Sequence, residues 1–142
     1  MRFEFVLLAD AAQVVDRKLY VHGGGLTRLT VPSLPWMQPL AICMRLEPDD
    51  YDDLSHEWQF QLAVVGPDEN PIIEHRIPLA LHRPNTEPAE GEHRGVLVAL
   101  TISGLVVHAY GPHRVRLAIE GAVTEETFAV LAAEQALRSA AC

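Results

Sequence analysis

Glu57-Trp58-Gln59-Phe60-Gln61-Leu62-Ala63-Val64 decides the fold class, because Trp58, Phe60, Leu62 and Val64 are set against Glu57, Gln59 and Gln61. Successive side chains of a strand point to opposite faces, so this alternation predicts a strand with one face on a core and the other in water. The period recurs in Ile73, His75, Ile77 and Leu79 against Glu74 and Arg76, in Val96, Val98, Leu100 and Ile102, and in Val115, Leu117 and Ile119 against Arg114, Arg116 and Glu120. Such repetition predicts an antiparallel sheet with one wet face.

Working outward, further strands are expected at Arg2 to Ala9, Lys18 to His22, Leu26 to Val31 and Leu40 to Glu47. Turns are expected at Asp16-Arg17, Gly66 to Asn70, Gly104 and Gly111-Pro112. Ten prolines and nine glycines punctuate the chain, and helical periodicity is nearly absent before residue 124. The expectation is an all-β fold, an antiparallel two-layer β-sandwich of about eight or nine strands. Thr124 to Ala132 reads as a closing strand, and Ala132 to Ala141 is rich in helix formers, predicting a short C-terminal helix. The polar, Pro-rich Arg83 to Glu92 reads as a surface loop within one domain spanning residues 1–142.

Composition narrows the function classes. A chain of 142 residues buries roughly two thirds of its unfolded surface in one core, enough to fold without staples. Nineteen acidic against eleven basic residues give a net charge of -8, which opposes phosphate attraction, so no nucleic-acid partner is expected. The apolar run near the N-terminus is bounded by Glu4 and Asp10, too short for a secretion signal. Charges such as Arg45, Glu57 and Glu74 interrupt every stretch approaching the roughly 18 apolar residues of a membrane span. Two cysteines, Cys43 in an apolar strand and Cys142 at the end, suit a reducing compartment, and a cytoplasmic protein with no membrane partner is expected.

Three groups of residues invite chemistry. Val21-His22-Gly23-Gly24-Gly25 looks like the glycine oxyanion element of lipases and esterases, but that element works with a G-x-S-x-G nucleophile elbow. Ser33, Ser55, Ser103 and Ser139 do not supply one, so the run reads as a strand connection and no catalytic residue is assigned. The seven histidines form no H-x-x-x-H or H-E-x-x-H pair, and the acidic run Glu47 to Asp53 lacks the order of an EF-hand loop. No metal or other cofactor is therefore expected. His75 shares a strand face with Ile77 and Leu79 and reads as a core or cross-strand residue. Pro35, Trp36 and Met37, in a Pro-rigidified loop, read as a partner-binding contact, since aromatic and Met side chains dominate interface hot spots.

With the strands placed, the chain resembles an uncharacterised bacterial family of small all-β proteins, a domain of unknown function. The resemblance rests on Leu8-Ala9-Asp10, on Asp16 to Gly24 with its Lys18-Leu19-Tyr20 strand running into glycine, on Leu26 to Thr30, and on Val31-Pro32-Ser33-Leu34-Pro35. Gly111-Pro112-His113-Arg114-Val115 through Glu120-Gly121 resembles the family's closing strand and turn, with His113 where a tyrosine is usual. The resemblance implies a β-sandwich and no activity. The expected function is a non-catalytic protein-interaction or accessory domain, binding a protein partner or itself. Leu105-Val106-Val107, apolar on both faces, suggests a homo-oligomer. The alternatives are a small-molecule or metal-binding domain and, last, an esterase-like hydrolase.

Overall fold

The computed structural model describes residues 1–50, 54, 56–82 and 87–140. In chain order the elements are β1 (Arg2–Ala9), β2 (Ala11–Val15), β3 (Lys18–His22), β4 (Arg28–Val31), β5 (Trp36–Glu47), β6 (Glu57–Val65), β7 (Pro71–Ala80), β8 (Val96–Val107), β9 (Gly111–Ile119), β10 (Ala122–Ala132) and α1 (Ala133–Ala140). They build a three-stranded sheet ordered β1-β5-β8, a five-stranded sheet ordered β4-β10-β9-β6-β7, and a hairpin of β2 and β3. The expected all-β fold with one short C-terminal helix is what the chain adopts.

The two larger sheets meet across one core. Trp58, Phe60, Leu62 and Val64 of β6 join Leu40, Ile42, Met44 and Leu46 of β5 in a single cluster, while Glu57, Gln59 and Gln61 stay exposed. Phe3 meets Phe60 edge to face with centroids 6.5 Å apart, a geometry worth about 0.5–1.5 kcal/mol beyond area burial.

β5 breaks the alternation, and the reason is a third layer. Leu40, Ala41, Ile42, Cys43 and Met44 are all fully buried. The even-numbered residues enter the core. Ala41 and Cys43 face the other way, where with Ala9 they pack against Leu7, Ala12, Leu19 and Val21. Leu19 and Val21 belong to β3 and Ala12 to β2, so the hairpin lies over the outer face of the small sheet. The sandwich is thus three-layered over β5 rather than two-layered throughout. The turn of this hairpin is Asp16-Arg17, as expected, with φ of 50° and 60° at its two residues.

Several expected boundaries are corrected. Strand β2 lies outside the expected set, which makes ten strands among the described residues rather than eight or nine. β4 begins at Arg28 rather than Leu26, and it runs parallel to β10, the exception to antiparallel pairing. β5 begins at Trp36, so Trp36 and Met37 lie in a strand and not in a loop. Gly104 is not a turn but part of β8. Leu40 pairs with Ile102 and Gln38 with Leu105, so two steps along β5 match three along β8. The extra residue is a β-bulge at Ser103-Gly104 opposite Pro39, whose missing N–H cannot join a regular ladder. The bulge also reverses parity: Val98, Leu100 and Ile102 pack inward before it, Leu105 and Val107 after it.

Candidate functional site

β8 ends its sheet and pairs only with β5, so the hydrogen-bonding groups on its other side have no strand partner among the described residues. Its twelve residues, VLVALTISGLVV, include no charge and no proline. The other edges of the two larger sheets carry devices that discourage strand pairing. β4 has four residues. β7 carries Pro71, Glu74, Arg76 and Pro78. β1 carries Arg2 and Glu4 with a bulge between Phe3 and Phe5, and its far end is occupied where the Leu26 N–H donates to the Leu8 carbonyl at 2.9 Å. β8 carries no charge or proline of its own, and the β2–β3 hairpin lies near its start, where Val14 and Arg17 line one concavity with Val96 and Leu97.

Beside this edge the two sheets stand apart. A groove of about 350 Å³ runs between β7 and β8, with Leu62 at its floor and Ile73, Ile77, Leu100 and Ile102 along its sides. His75 stands at its mouth, exposed and opposite Leu62, rather than buried in the core. On the outer side of the sheet Met37, 65% exposed, approaches Gly104, and a Cβ at Gly104 would lie 3.5 Å from the Met37 sulfur.

The structure separates the three predicted contact residues. Pro35 is exposed and joined to Leu34 by a cis peptide bond. Trp36 is half-buried against the core, and its Nε1–H donates to Gln38 Oε1 at 3.1 Å. Met37 is the one whose side chain projects into solvent. Alternation within a strand was the signal for this, because Trp36, Gln38 and Leu40 share the face that enters the sandwich. Of Leu105, Val106 and Val107, the first and last are buried within the chain's own core.

A second concavity, about 440 Å³, lies under the hairpin tip and is lined by Arg17, Arg45, His82, Glu92, His93 and Arg94 among others. Glu4 reaches it from the β1 bulge. His93 Nε2 lies 2.8 Å and Arg45 Nη1 3.7 Å from Glu4 Oε1. The Gly95 N–H donates to His93 Nδ1 at 3.2 Å, so the ring accepts there and Nε2 carries the hydrogen toward Glu4. Both ring nitrogens are engaged, which makes His93 a positioned strut rather than an available base. Arg45 also lies over the Phe5 ring, 5.4 Å from its centroid.

The glycine run has steric work to do. Gly23 adopts φ of 63°, and a Cβ there would lie 2.2 Å from Asp10 Oδ2; at Gly24 it would lie 2.9 Å from Val21 Cγ1. The run follows β3 and leads toward β4, bringing the chain back beside β1, where the Asp10 N–H donates to the His22 carbonyl at 3.0 Å. In the acidic run, Glu47 pairs with Arg2 and Asp49 with the Met1 amino group, while 51–53 lie outside the described residues. Among the described residues no three His, Cys, Asp or Glu side chains are grouped to hold a metal. Cys142 and residues 83–86 also lie outside the description. No described helix is long and apolar enough to cross a membrane.

A search of curated proteins matched none. The resemblance read from the Leu-Ala-Asp strand through the closing Gly-Pro-His strand is borne out at the level of the family: over residues 4–130 the chain belongs to the family of unknown function DUF6941.

Proposed function

We propose that this protein is a non-catalytic interaction module that pairs with a second copy of itself along β8, in a reducing cytoplasmic compartment. The observation that carries this reading is the uncharged β8 edge, unpaired by any described strand, beside an apolar groove. A two-fold antiparallel pairing centred on Ala99 sets Val96 against Ile102, Leu97 against Thr101 and Val98 against Leu100 of the second copy. Paired positions differ by an even number, so core-facing residues meet core-facing ones and no like charges are opposed. Met37 lies on β5 opposite Val106, on the far side of β8 from the free edge and beyond the paired stretch. The engagement of both His93 nitrogens supports a non-catalytic role, and the buried free thiol of Cys43 suits a reducing compartment.

Light scattering over a concentration series tests the pairing. Thr101 is exposed, so Thr101→Lys leaves the monomer intact but places an ammonium in the shared apolar strip, whereas Thr101→Val does not. The mass of the unaltered protein should rise toward twice the monomer with concentration. Thr101→Lys should stay monomeric with an unchanged melting temperature, and Thr101→Val should associate. A monomer at every concentration, or a dimer indifferent to Thr101→Lys, overturns the reading. Met37→Ala, outside the paired stretch, should leave association unchanged and serves as a control for Thr101→Lys.

A further inference from the structure

The sandwich is closed along one flank and open along the other. Where β1 meets the start of β4, residues 26–27 stitch the two sheets together: the Leu26 N–H donates to the Leu8 carbonyl and the Ala129 N–H to the Thr27 carbonyl, both at 2.9 Å. The opposite flank is formed by the terminal strands β7 and β8, and among the described residues no backbone hydrogen bond joins them. The groove between them is therefore a gap in the wall of the core. Its volume of about 350 Å³ falls within the range of small-molecule sites, roughly 300–1,000 Å³.

Two histidines interrupt the core-facing rows of the sandwich, and their settings differ. His113 of β9 is fully buried and stacks on Phe128 with centroids 5.2 Å apart. Its Nδ1 lies 3.0 Å from the Gly111 carbonyl oxygen, which only accepts, so Nδ1 holds the hydrogen and Nε2 is an acceptor left without a partner. It has no exposed surface, so no ligand reaches it. His75 of β7 is the opposite case. It stands opposite Leu62, between Ile73 opposite Val64 and Ile77 opposite Phe60, so it shares their inward face. Glu74 and Arg76, opposite Ala63 and Gln61, take the solvent face. Yet His75 is exposed, lines the groove, and makes no hydrogen bond or ion pair with a described residue.

We propose that this groove binds a straight-chain aliphatic carboxylate, its tail lying over Leu62 between Ile73 and Ile77 on one wall and Leu100 and Ile102 on the other, its carboxylate accepting a hydrogen bond from the His75 ring. A hydrocarbon tail suits these walls and asks for no hydrogen bonds. A peptide strand laid in the same gap would meet Pro71 and Pro78 on β7, which offer no N–H. The carboxylate suits the one polar side chain in the inward row of β7, because it only accepts and an imidazole keeps an N–H to donate in either protonation state. The ligand takes the walls of the groove and the self-pairing takes the edge of β8, so either can fail alone.

Titration of protein carrying ¹³C-labelled methyl groups with sodium octanoate, kept below the concentration at which it forms micelles, tests the site. A saturable shift of the Ile73, Ile77, Leu100 and Ile102 methyls is expected, and hexanoate should bind at least about tenfold more weakly. Octan-1-ol, uncharged, should bind several-fold more weakly than octanoate. His75→Leu, at an exposed position, should still bind octan-1-ol and lose the preference for octanoate, and His75→Gln, which restores an N–H donor, should recover part of it. Light scattering of the same samples reads the β8 pairing separately. No saturable shift, shifts spread equally to the exposed Met37 and Val123 methyls, or an undiminished preference for octanoate in His75→Leu overturns the proposal.

Discussion

His113 occupies a position where hydrophobic packing and polar chemistry pull in opposite directions, and its neighbours let the two be separated. Phenylalanine reproduces the planar contact with Phe128 while removing the unpaired acceptor, so His113→Phe should leave stability unchanged or raise it by up to about 2 kcal/mol. Alanine removes the contact as well and should cost about 2–4 kcal/mol through the void it leaves. Urea unfolding distinguishes them: equal losses in both variants would mean that Nε2 already has a partner. Residue 113 is also where one-dimensional reading stopped short. Its place at the head of an alternating strand was legible, as was its departure from the usual tyrosine. That its far nitrogen has no partner depends on Gly111, Phe128 and the β6–β7 turn converging on it, and no local pattern encodes that.

At the scale of the element, strands were legible where one face is wet. β6, β9 and the end of β7 alternate because water and core take turns along them. β5 was harder to bound because the hairpin covers its second face, and burial on both sides erases the period. β2 escaped notice because only Ala12 of Ala11-Ala12-Gln13-Val14-Val15 is partly buried, so no alternation of apolar and polar residues marks it. Gly104 was misread because glycine marks bulges and turns alike, and only Pro39 on the neighbouring strand decides between them. The hairpin turn itself carries strain. Asp16 and Arg17 both sit at positive φ, which costs an L-residue about 1–2 kcal/mol and costs glycine nothing. The Arg17–Glu92 pair at 3.7 Å is largely exposed and offsets little of this. Arg17→Gly should therefore stabilise the protein by up to about 1 kcal/mol, after the greater freedom of glycine in the unfolded chain is allowed for. A lower urea midpoint would show that the Arg17 side chain contributes more than its turn geometry costs.

For the whole molecule, the edge status of β8 is a property of strand order, invisible until every other strand has found its neighbours. The apolar run was readable; that no described strand pairs with its outer side was not. A charge network also operates at this scale, tying the β6–β7 turn to β9 and β10. Glu69 pairs with Arg114 and, at 3.5 Å, with Arg116, and Arg116 Nε donates to Glu125 at 2.8 Å. The hydrogen bond from Arg114 holds the Glu69 carboxyl below its ordinary value of 4.5. A carboxyl depressed in the folded state adds stability that is whole above its unfolded pKa and is lost as pH falls through the lower folded value. The melting temperature should therefore decline on acidification below about 4.5, and Glu69→Gln should flatten part of that decline. An unaltered acid limb in Glu69→Gln would assign it to other carboxylates.

The hairpin laid over Ala41 and Cys43 gives the protein a chemical clock. Cys43 is the one cysteine among the described residues, fully buried, and burial pushes its thiol up from the ordinary value. A thiolate-seeking reagent meets it only when β2 and β3 lift away, and that motion need not disturb the core on the sheet's other face. The rate at which Cys43 is modified therefore counts openings of the outer layer alone, apart from the unfolding of the sandwich beneath it.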